Sequence, residues 1–327
     1  MLEKLIVAGM DIARFNMCHT VKASQIADVK MLRTKHGKDT KTAMDTKGPD
    51  VRIGKFKDGK VDVVAGQEFK FYFGEENKGH MGTDKSVFVP YEKLLTIVKV
   101  GSQLCLNDGH VIMDITNITG KIITAVVVAG GVLKDNKSLA APGYDLQLPF
   151  ISPEDEEDFK FGIECGVDMI MASAVSKAQD VLDIRAFFKA NGGDEKIFII
   201  SKIEDKIGVS NLDAIIRESD GVMVARGGLG TDVGIVNLPP LQKLIIEKTR
   251  KAGKMIINAT EMLESMTDKP NPTRAEVTDV ANAVWDGASH VMLSGETAAG
   301  KYPIETVEYM KKTAEVAEAH PQYFRKF

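Results

Sequence analysis

Short apolar runs punctuate this chain at residues 11–16, 42–45, 167–172, 197–203, 221–225, 255–259 and 290–293. Longer stretches with apolar positions at helical spacing lie between many of them, for example at 154–165, 178–190, 212–217, 241–252 and 277–286, with a last one near 302–318. A short strand followed by a helix, repeated, predicts βα units and parallel strands. The first residues, Met1-Leu-Glu-Lys-Leu-Ile-Val-Ala-Gly9, read as the tail of an amphipathic helix.

Between Lys47 and Leu148 the texture changes. Helical periodicity is absent there, and β-rich runs appear at 69–73, 102–106, 111–115 and 121–128, separated by Gly, Asp and Asn turns. This predicts a small β-domain inserted between two barrel strands, with Pro49 and Pro149 as hinges. The expected division is 1–48 for the first part of a barrel, 49–148 for the insertion and 149–327 for the second part. The expected class is α/β, a TIM-type (β/α)₈ barrel with an inserted β-barrel lid. Seven strands are predicted where a closed barrel needs eight. The missing first strand is expected to precede Met1.

Composition narrows the classes. The chain has 327 residues, with 44% hydrophobic and 27% charged, as in ordinary globular proteins. A net charge of −4 gives no reason to expect a nucleic-acid or anionic-membrane partner. Cys18, Cys105 and Cys165 show no CxxC spacing, so a reducing compartment is expected, and the N-terminus lacks the basic start of a signal peptide. A cytoplasmic location follows as the expectation.

Candidate chemistry gathers where the strands end. Arg14, Asn16, Cys18 and His19 stand at or just past the end of the first strand, Asp45, Thr46 and Lys47 at or just past the end of the second, and Ser173 just past the third. Lys202 stands at the end of the fourth and Glu204 just past it, Arg226-Gly-Gly follows the fifth, Thr260 and Glu261 the sixth, and Ser294-Gly-Glu296-Thr297 the last. The C-terminal rim of an α/β barrel is its active face. In Phe198-Ile-Ile-Ser-Lys-Ile-Glu204 the cation and the carboxylate stand two residues apart, hence on one side of a strand. Mg²⁺ in phosphate chemistry is usually held by one or two carboxylates plus substrate oxygens. Glu204 supplies one. The neighbouring strand end, where a second is expected, carries Gly228.

Several segments then fit a known family. These are Gly9-Met-Asp-Ile-Ala-Arg-Phe-Asn16, Asp45-Thr-Lys-Gly-Pro49, Pro142-Gly-Tyr-Asp-Leu-Gln-Leu-Pro149, Asn258-Ala-Thr-Glu-Met-Leu-Glu-Ser-Met266, Pro272-Thr-Arg-Ala-Glu276, Asp279-Val-Ala-Asn-Ala-Val284 and Met292-Leu-Ser-Gly-Glu-Thr297. Together they resemble pyruvate kinase along the whole chain. The resemblance implies a glycolytic kinase that transfers the phosphoryl group of phosphoenolpyruvate to ADP, giving pyruvate and ATP, with Mg²⁺ (or Mn²⁺) and K⁺ as cofactors. It implies Lys202 as the catalytic lysine, Thr260 beside the protonated face of the enolate, and Arg14 as a phosphate contact with a catalytic part. Gly227 and Gly228 would offer backbone N–H groups to the substrate at a helix start. Arg14, His19, Arg52 and Lys137 would meet the nucleotide, Glu204 Mg²⁺, and Asn16, Cys18, Asp45 and Thr46 K⁺.

The departures from the family are specific. Gly228 stands in place of the second Mg²⁺-binding aspartate, and Cys18 replaces a serine, although sulfur suits a hard cation poorly. Glu261 replaces a glutamine. Ala174 and Ser176 stand where Phe and Arg are usual, and Ala140 and Asn107 replace polar residues of the lid. The family's first barrel strand and its C-terminal domain, which commonly takes sugar-phosphate activators, are not represented in these residues. Two functions from different classes therefore stand side by side. One is a pyruvate kinase weakened at its metal site. The other is a catalytically silent relative that binds nucleotide, phosphoenolpyruvate or a partner subunit. A different phosphoenolpyruvate/pyruvate barrel enzyme, an aldolase or lyase, is disfavoured by the lid and by the Asp45-Thr-Lys-Gly-Pro49 motif. A homo-oligomer is compatible with either function.

Overall fold

A computed structural model describes residues 1–107 and 109–326 of the chain. It forms two compact units. The larger comprises Met1–Gly48, Phe150–Gly230 and the segment from Ile235 onward; the smaller comprises Pro49–Pro149 with Thr231–Gly234.

The larger unit is a TIM-type arrangement of one parallel sheet and its helices. Its strands are β1 (Ile12–Asn16), β2 (Lys41–Asp45), β3 (Met169–Ala172), β4 (Phe198–Ile203), β5 (Gly221–Ala225), β6 (Met255–Ala259) and β7 (His290–Val291). Each pairs in parallel with its sequence neighbour, and β1 and β7 form the two edges of a seven-stranded sheet. An eighth strand is not among the described residues. The helices include α1 (Leu2–Ala8), α2 (Ala23–Lys35), α3 (Pro153–Cys165), α4 (Ala178–Ala190), α5 (Leu212–Glu218), α6 (Arg226–Val233), α7 (Leu238–Lys251), α8 (Arg274–Asp286) and α9 (Pro303–Glu318). Among the described residues no helix is long and apolar enough to cross a membrane.

Strand alternation decides what faces inward. Ala43, Met169, Met171, Ile200, Met223, Ala225, Ile257 and Ala259 form one buried cluster inside the sheet. The residue two positions further along a strand points to the same side. Beyond Ala43 comes Asp45, beyond Met171 comes Ser173, and beyond Ile200 come Lys202 and Glu204. Register is fixed from the opposite strand ends. Asp168 accepts hydrogen bonds from the Thr42 backbone N–H (2.7 Å), the Thr42 hydroxyl (2.8 Å) and the Arg33 guanidinium (2.9 Å), tying β2 to the start of β3.

Helix ends follow local chemistry. Ser152 caps α3, Pro153 opens it, and Gly166 closes it in the left-handed conformation. Asp155 completes the capping box and is 1% exposed. It also accepts the backbone N–H of Gly48 at 3.2 Å, so the start of α3 anchors the turn that follows β2.

The smaller unit is β-rich, with its own core built on Phe56, Phe69, Phe71, Phe73 and Leu104. Its seven-stranded sheet is mixed rather than all antiparallel, because Glu68–Tyr72 pairs in parallel with Ser86–Phe88. The expected absence of helix there is corrected by one turn at Leu94–Ile97, whose Leu94 is fully buried in this core.

Asp155→Ala removes the acceptor for both Ser152 and the buried Gly48 N–H. A buried donor left without a partner costs about 1–3 kcal/mol. The variant should unfold at lower urea with an unchanged m-value; an unchanged midpoint would show that the Asp155 anchor contributes nothing.

Candidate active site

The rim centres on Asp45, at the end of β2 and 1% exposed. One carboxylate oxygen pairs with the Arg14 guanidinium from β1. The other lies 2.9 Å from Lys202 Nζ on β4. Ser173, just past β3, is buried as well. Its hydroxyl accepts from Lys202 Nζ at 2.7 Å and donates to the Thr46 carbonyl oxygen at 2.6 Å, while its N–H donates to Thr46 Oγ1 at 3.0 Å. Lys202 Nζ also lies 3.1 Å from Glu204 Oε1. Three acceptors from three strand ends thus surround one ammonium group, which has three N–H bonds to give.

Electrostatics follow from burial and pairing. Desolvation alone would raise the Asp45 pKa, but the Lys202 and Arg14 cations outweigh it and hold the carboxyl below its ordinary value. Burial would lower the Lys202 pKa, yet Glu204 and Asp45 overcome that and raise it. Lys202 is therefore a fixed cation throughout the physiological range.

The turn after β2 is tight against its neighbour. Gly48 has φ 72°, and a Cβ there would lie 2.8 Å from that of Ser173. The loop after β3 turns through Ala174 at φ 53°, and the loop after β6 through Thr260 at φ 76° and Glu261 at φ 53°. Left-handed non-glycine residues persist only where their surroundings hold them, and they cluster at functional sites.

Of the residues singled out from the sequence, the structure gathers Arg14, Asp45, Thr46, Lys202 and Glu204 in this network. Asn16 pairs in register with Asp45, and its Oδ1 accepts the Cys18 N–H at 3.0 Å; Cys18 and His19 lie in the exposed turn that follows. Gly227 and Gly228 are exposed in the first turn of α6. A Cβ on Gly228 would sit 3.0 Å from Glu204 Cβ and 3.3 Å from its Oε2, so position 228 directly adjoins the Glu204 carboxylate. A Cβ on Gly227 would lie 3.3 Å from Thr260 Cγ2, which places Thr260 beside that same turn. Arg52 and Lys137 belong to the smaller unit: the Arg52 guanidinium donates to the Asn136 carbonyl at 3.0 Å and pairs with Asp50 at 2.9 Å, and the Lys137 carbonyl accepts the Ile53 N–H at 3.0 Å. Ser173 was legible only as a polar residue at a strand end; that it cradles Lys202 is visible only in three dimensions.

The donors present fit the expected cations unequally. Glu204 offers Mg²⁺ one carboxylate, and among the described residues no group of three or more His, Cys, Asp or Glu gathers as a metal-binding set. Asn16, Asp45 and Thr46 offer oxygens suited to K⁺, and Cys18 offers sulfur. A site with one carboxylate must complete a Mg²⁺ shell with water and ligand oxygens.

The fold and rim define a parallel α/β barrel, interrupted by a β-rich unit, with a buried lysine–carboxylate network at the C-terminal strand ends. The sequence profile of the family described as "Pyruvate kinase, barrel domain" matches residues 1–307. A pyruvate kinase of Sporosarcina psychrophila is 42% identical over 99% of this chain and 55% of its own length. One of Clostridium perfringens is 40% identical over 98% of this chain and 68% of its own, and one of Dictyostelium discoideum 43% identical over 97% and 63%. The chain belongs to the pyruvate kinase family. It spans between about half and two thirds of the length of these curated relatives.

Asp45→Asn should destabilise the fold at pH 7 by up to about 3–5 kcal/mol, because it removes the buried counter-ion shared by two part-buried cations, Arg14 and Lys202. The sign with pH follows from the depressed carboxyl. Its contribution is complete above the unfolded value near 4 and is lost as pH falls through the lower folded value. Denaturant titrations from pH 7 downward should show the gap between wild type and variant closing only below about pH 4. A constant gap would mean that Asp45 carries no charge in the folded protein.

Proposed function

We propose that this chain is a phosphotransferase of the pyruvate kinase type, moving the phosphoryl group of phosphoenolpyruvate to ADP, with turnover limited by the glycine at position 228. The observation that carries this reading is the Lys202 ammonium, held on the barrel rim between Asp45, Ser173 and Glu204, with Glu204 in turn adjoining position 228 of α6. Relatives named pyruvate kinase support it.

In this reading the P–O bond to the enolate oxygen breaks, a bond forms to the terminal phosphate oxygen of ADP, and the enolate carbon takes a proton. Lys202 and Arg14 supply fixed positive charge beside the phosphoryl and the developing enolate, an effect often worth several kcal/mol. The α6 N–H groups at Gly227 and Gly228 orient anionic oxygens. Thr260 sits at the face where the proton arrives. Arg52, Lys137 and His19 serve the nucleotide. Glu204 would hold Mg²⁺, which when bound neutralises phosphoryl-oxygen charge, and Asn16, Asp45 and Thr46 would hold K⁺. A cytoplasmic, glycolytic setting accompanies the reading.

A coupled assay for pyruvate, with phosphoenolpyruvate binding measured by calorimetry, tests it. Turnover that falls about 10²–10³-fold in Lys202→Met is expected. Binding without any turnover would favour the silent relative instead.

Position 228 gives a second test. Gly228 lies within α6, so aspartate can adopt its backbone, and Glu204 need shift only a few tenths of an ångström to admit the new Cβ. Gly228→Asp should lower the Mg²⁺ concentration for half-maximal rate at least about tenfold, the equivalent of roughly 1.4 kcal/mol. Superimposable Mg²⁺ curves would show that the missing carboxylate is not limiting.

A further inference from the structure

We propose that Arg226 and Asp279 form a clamp that holds Thr260 in its left-handed conformation, which makes Arg226 a positioning residue for the protonation half of the reaction; the catalytic part rests on the reading above. Arg226 opens α6 and its side chain is 12% exposed. Its Nε lies 3.0 Å from the carbonyl oxygens of both Ala259 and Thr260. Its Nη1 donates to Asp279 Oδ2 on α8 at 2.7 Å, and its Nη2 reaches the Thr260 carbonyl and, at 3.0 Å, Met262 Sδ. One guanidinium therefore ties the end of β6, the turn after it and α8 together.

The turn needs such a tie. Thr260 and Glu261 are consecutive non-glycine residues at φ 76° and 53°, and a β-branched residue there is an outlier. Relaxing Thr260 to negative φ would swing its carbonyl off the guanidinium. The planar fork of arginine reaches two carbonyls and a carboxylate at once, which a lysine ammonium cannot reproduce. With its charge committed to Asp279, Arg226 is turned inward rather than presented to an anion. What it fixes is the placement of Thr260 against Gly227, where the Thr260 methyl lies 3.3 Å from a Cβ built on the glycine.

The test uses the full chain with Arg226→Lys and Asp279→Asn. Hydrogen–deuterium exchange of the amides of residues 260–263 should quicken about tenfold or more in both, with the rest of the barrel unchanged. Exchange of pyruvate methyl protons with solvent should fall about tenfold in Arg226→Lys, while KM for phosphoenolpyruvate holds. Thr260→Ala should lose as much, and the double variant no more. If Arg226→Lys does not fold, Asp279→Asn, which keeps the shape and an oxygen acceptor, carries the test alone. Unchanged amide exchange in the folded variants overturns the clamp whatever the catalysis. Quickened amides with unchanged proton exchange, in a chain whose wild type turns over, overturn the positioning role. Quickened amides in a chain without any turnover uphold the clamp and remove only the phosphotransferase reading.

Discussion

The buried Asp45 carboxylate is the constraint on which the rim depends. Taking an ionised carboxylate out of water costs several kcal/mol unless cations and donors replace the lost hydration. Here the replacement comes from Arg14 on β1 and Lys202 on β4, with the Ser173 hydroxyl after β3 completing the set around Lys202. Four consecutive strand ends are thereby locked to one charge. The same contacts that compensate Asp45 also aim Lys202. In the proposed reading, stability and chemistry are one network, so a substitution at any member disturbs both. The anchor extends outward through Thr46 and Gly48 to Asp155, which joins this network to the start of α3.

The parallel strands were legible because strands buried on both faces read as nearly continuous apolar runs. Gly221–Ala225 and Met255–Ala259 fall where that pattern puts them, and the others differ by one or two residues at their ends. Helix starts have a different, local cause: the Ser152 and Thr273 hydroxyls accept the backbone N–H groups of Asp155 and Glu276. The smaller unit was harder. Strands as short as Val51–Arg52 and Ser138–Ala140 exist because distant segments pair with them, and two or three residues carry no periodicity.

At the site, alternation alone gave the shared side of Lys202 and Glu204. Lys202's embrace by Asp45 spans 157 positions of sequence, and no spacing rule reaches that far. The left-handed backbone at Ala174, Thr260 and Glu261 was likewise hidden, since only glycine or asparagine signals such a conformation by its identity. Arg226 was visible as a rim residue, but its inward turn is set by Asp279, 53 residues away.

In the proposed reading, the rim's charge balance gives Gly228 a meaning beyond the absence of a second carboxylate. Arg14 and Lys202 carry two positive charges, and Asp45 and Glu204 carry two negative ones, so the constellation neutralises itself. Glu204 can then rest against Lys202 at 3.1 Å as an internal counter-ion. A second carboxylate at position 228, beside Glu204 Oε2, would leave one negative charge in excess at this spot. That excess would attract a divalent cation and draw Glu204 toward it, away from the lysine. With glycine there, the attraction is weaker and the Lys202–Glu204 contact has no competitor of its own kind. In the proposed reading, an anionic ligand at Lys202 competes with Glu204 for the ammonium, with less help from a divalent cation than two carboxylates would give. Glycine at this position thus bears on both halves of the proposed site at once: it would offer a metal fewer ligands, and it leaves the lysine's charge satisfied by Glu204 within the protein itself.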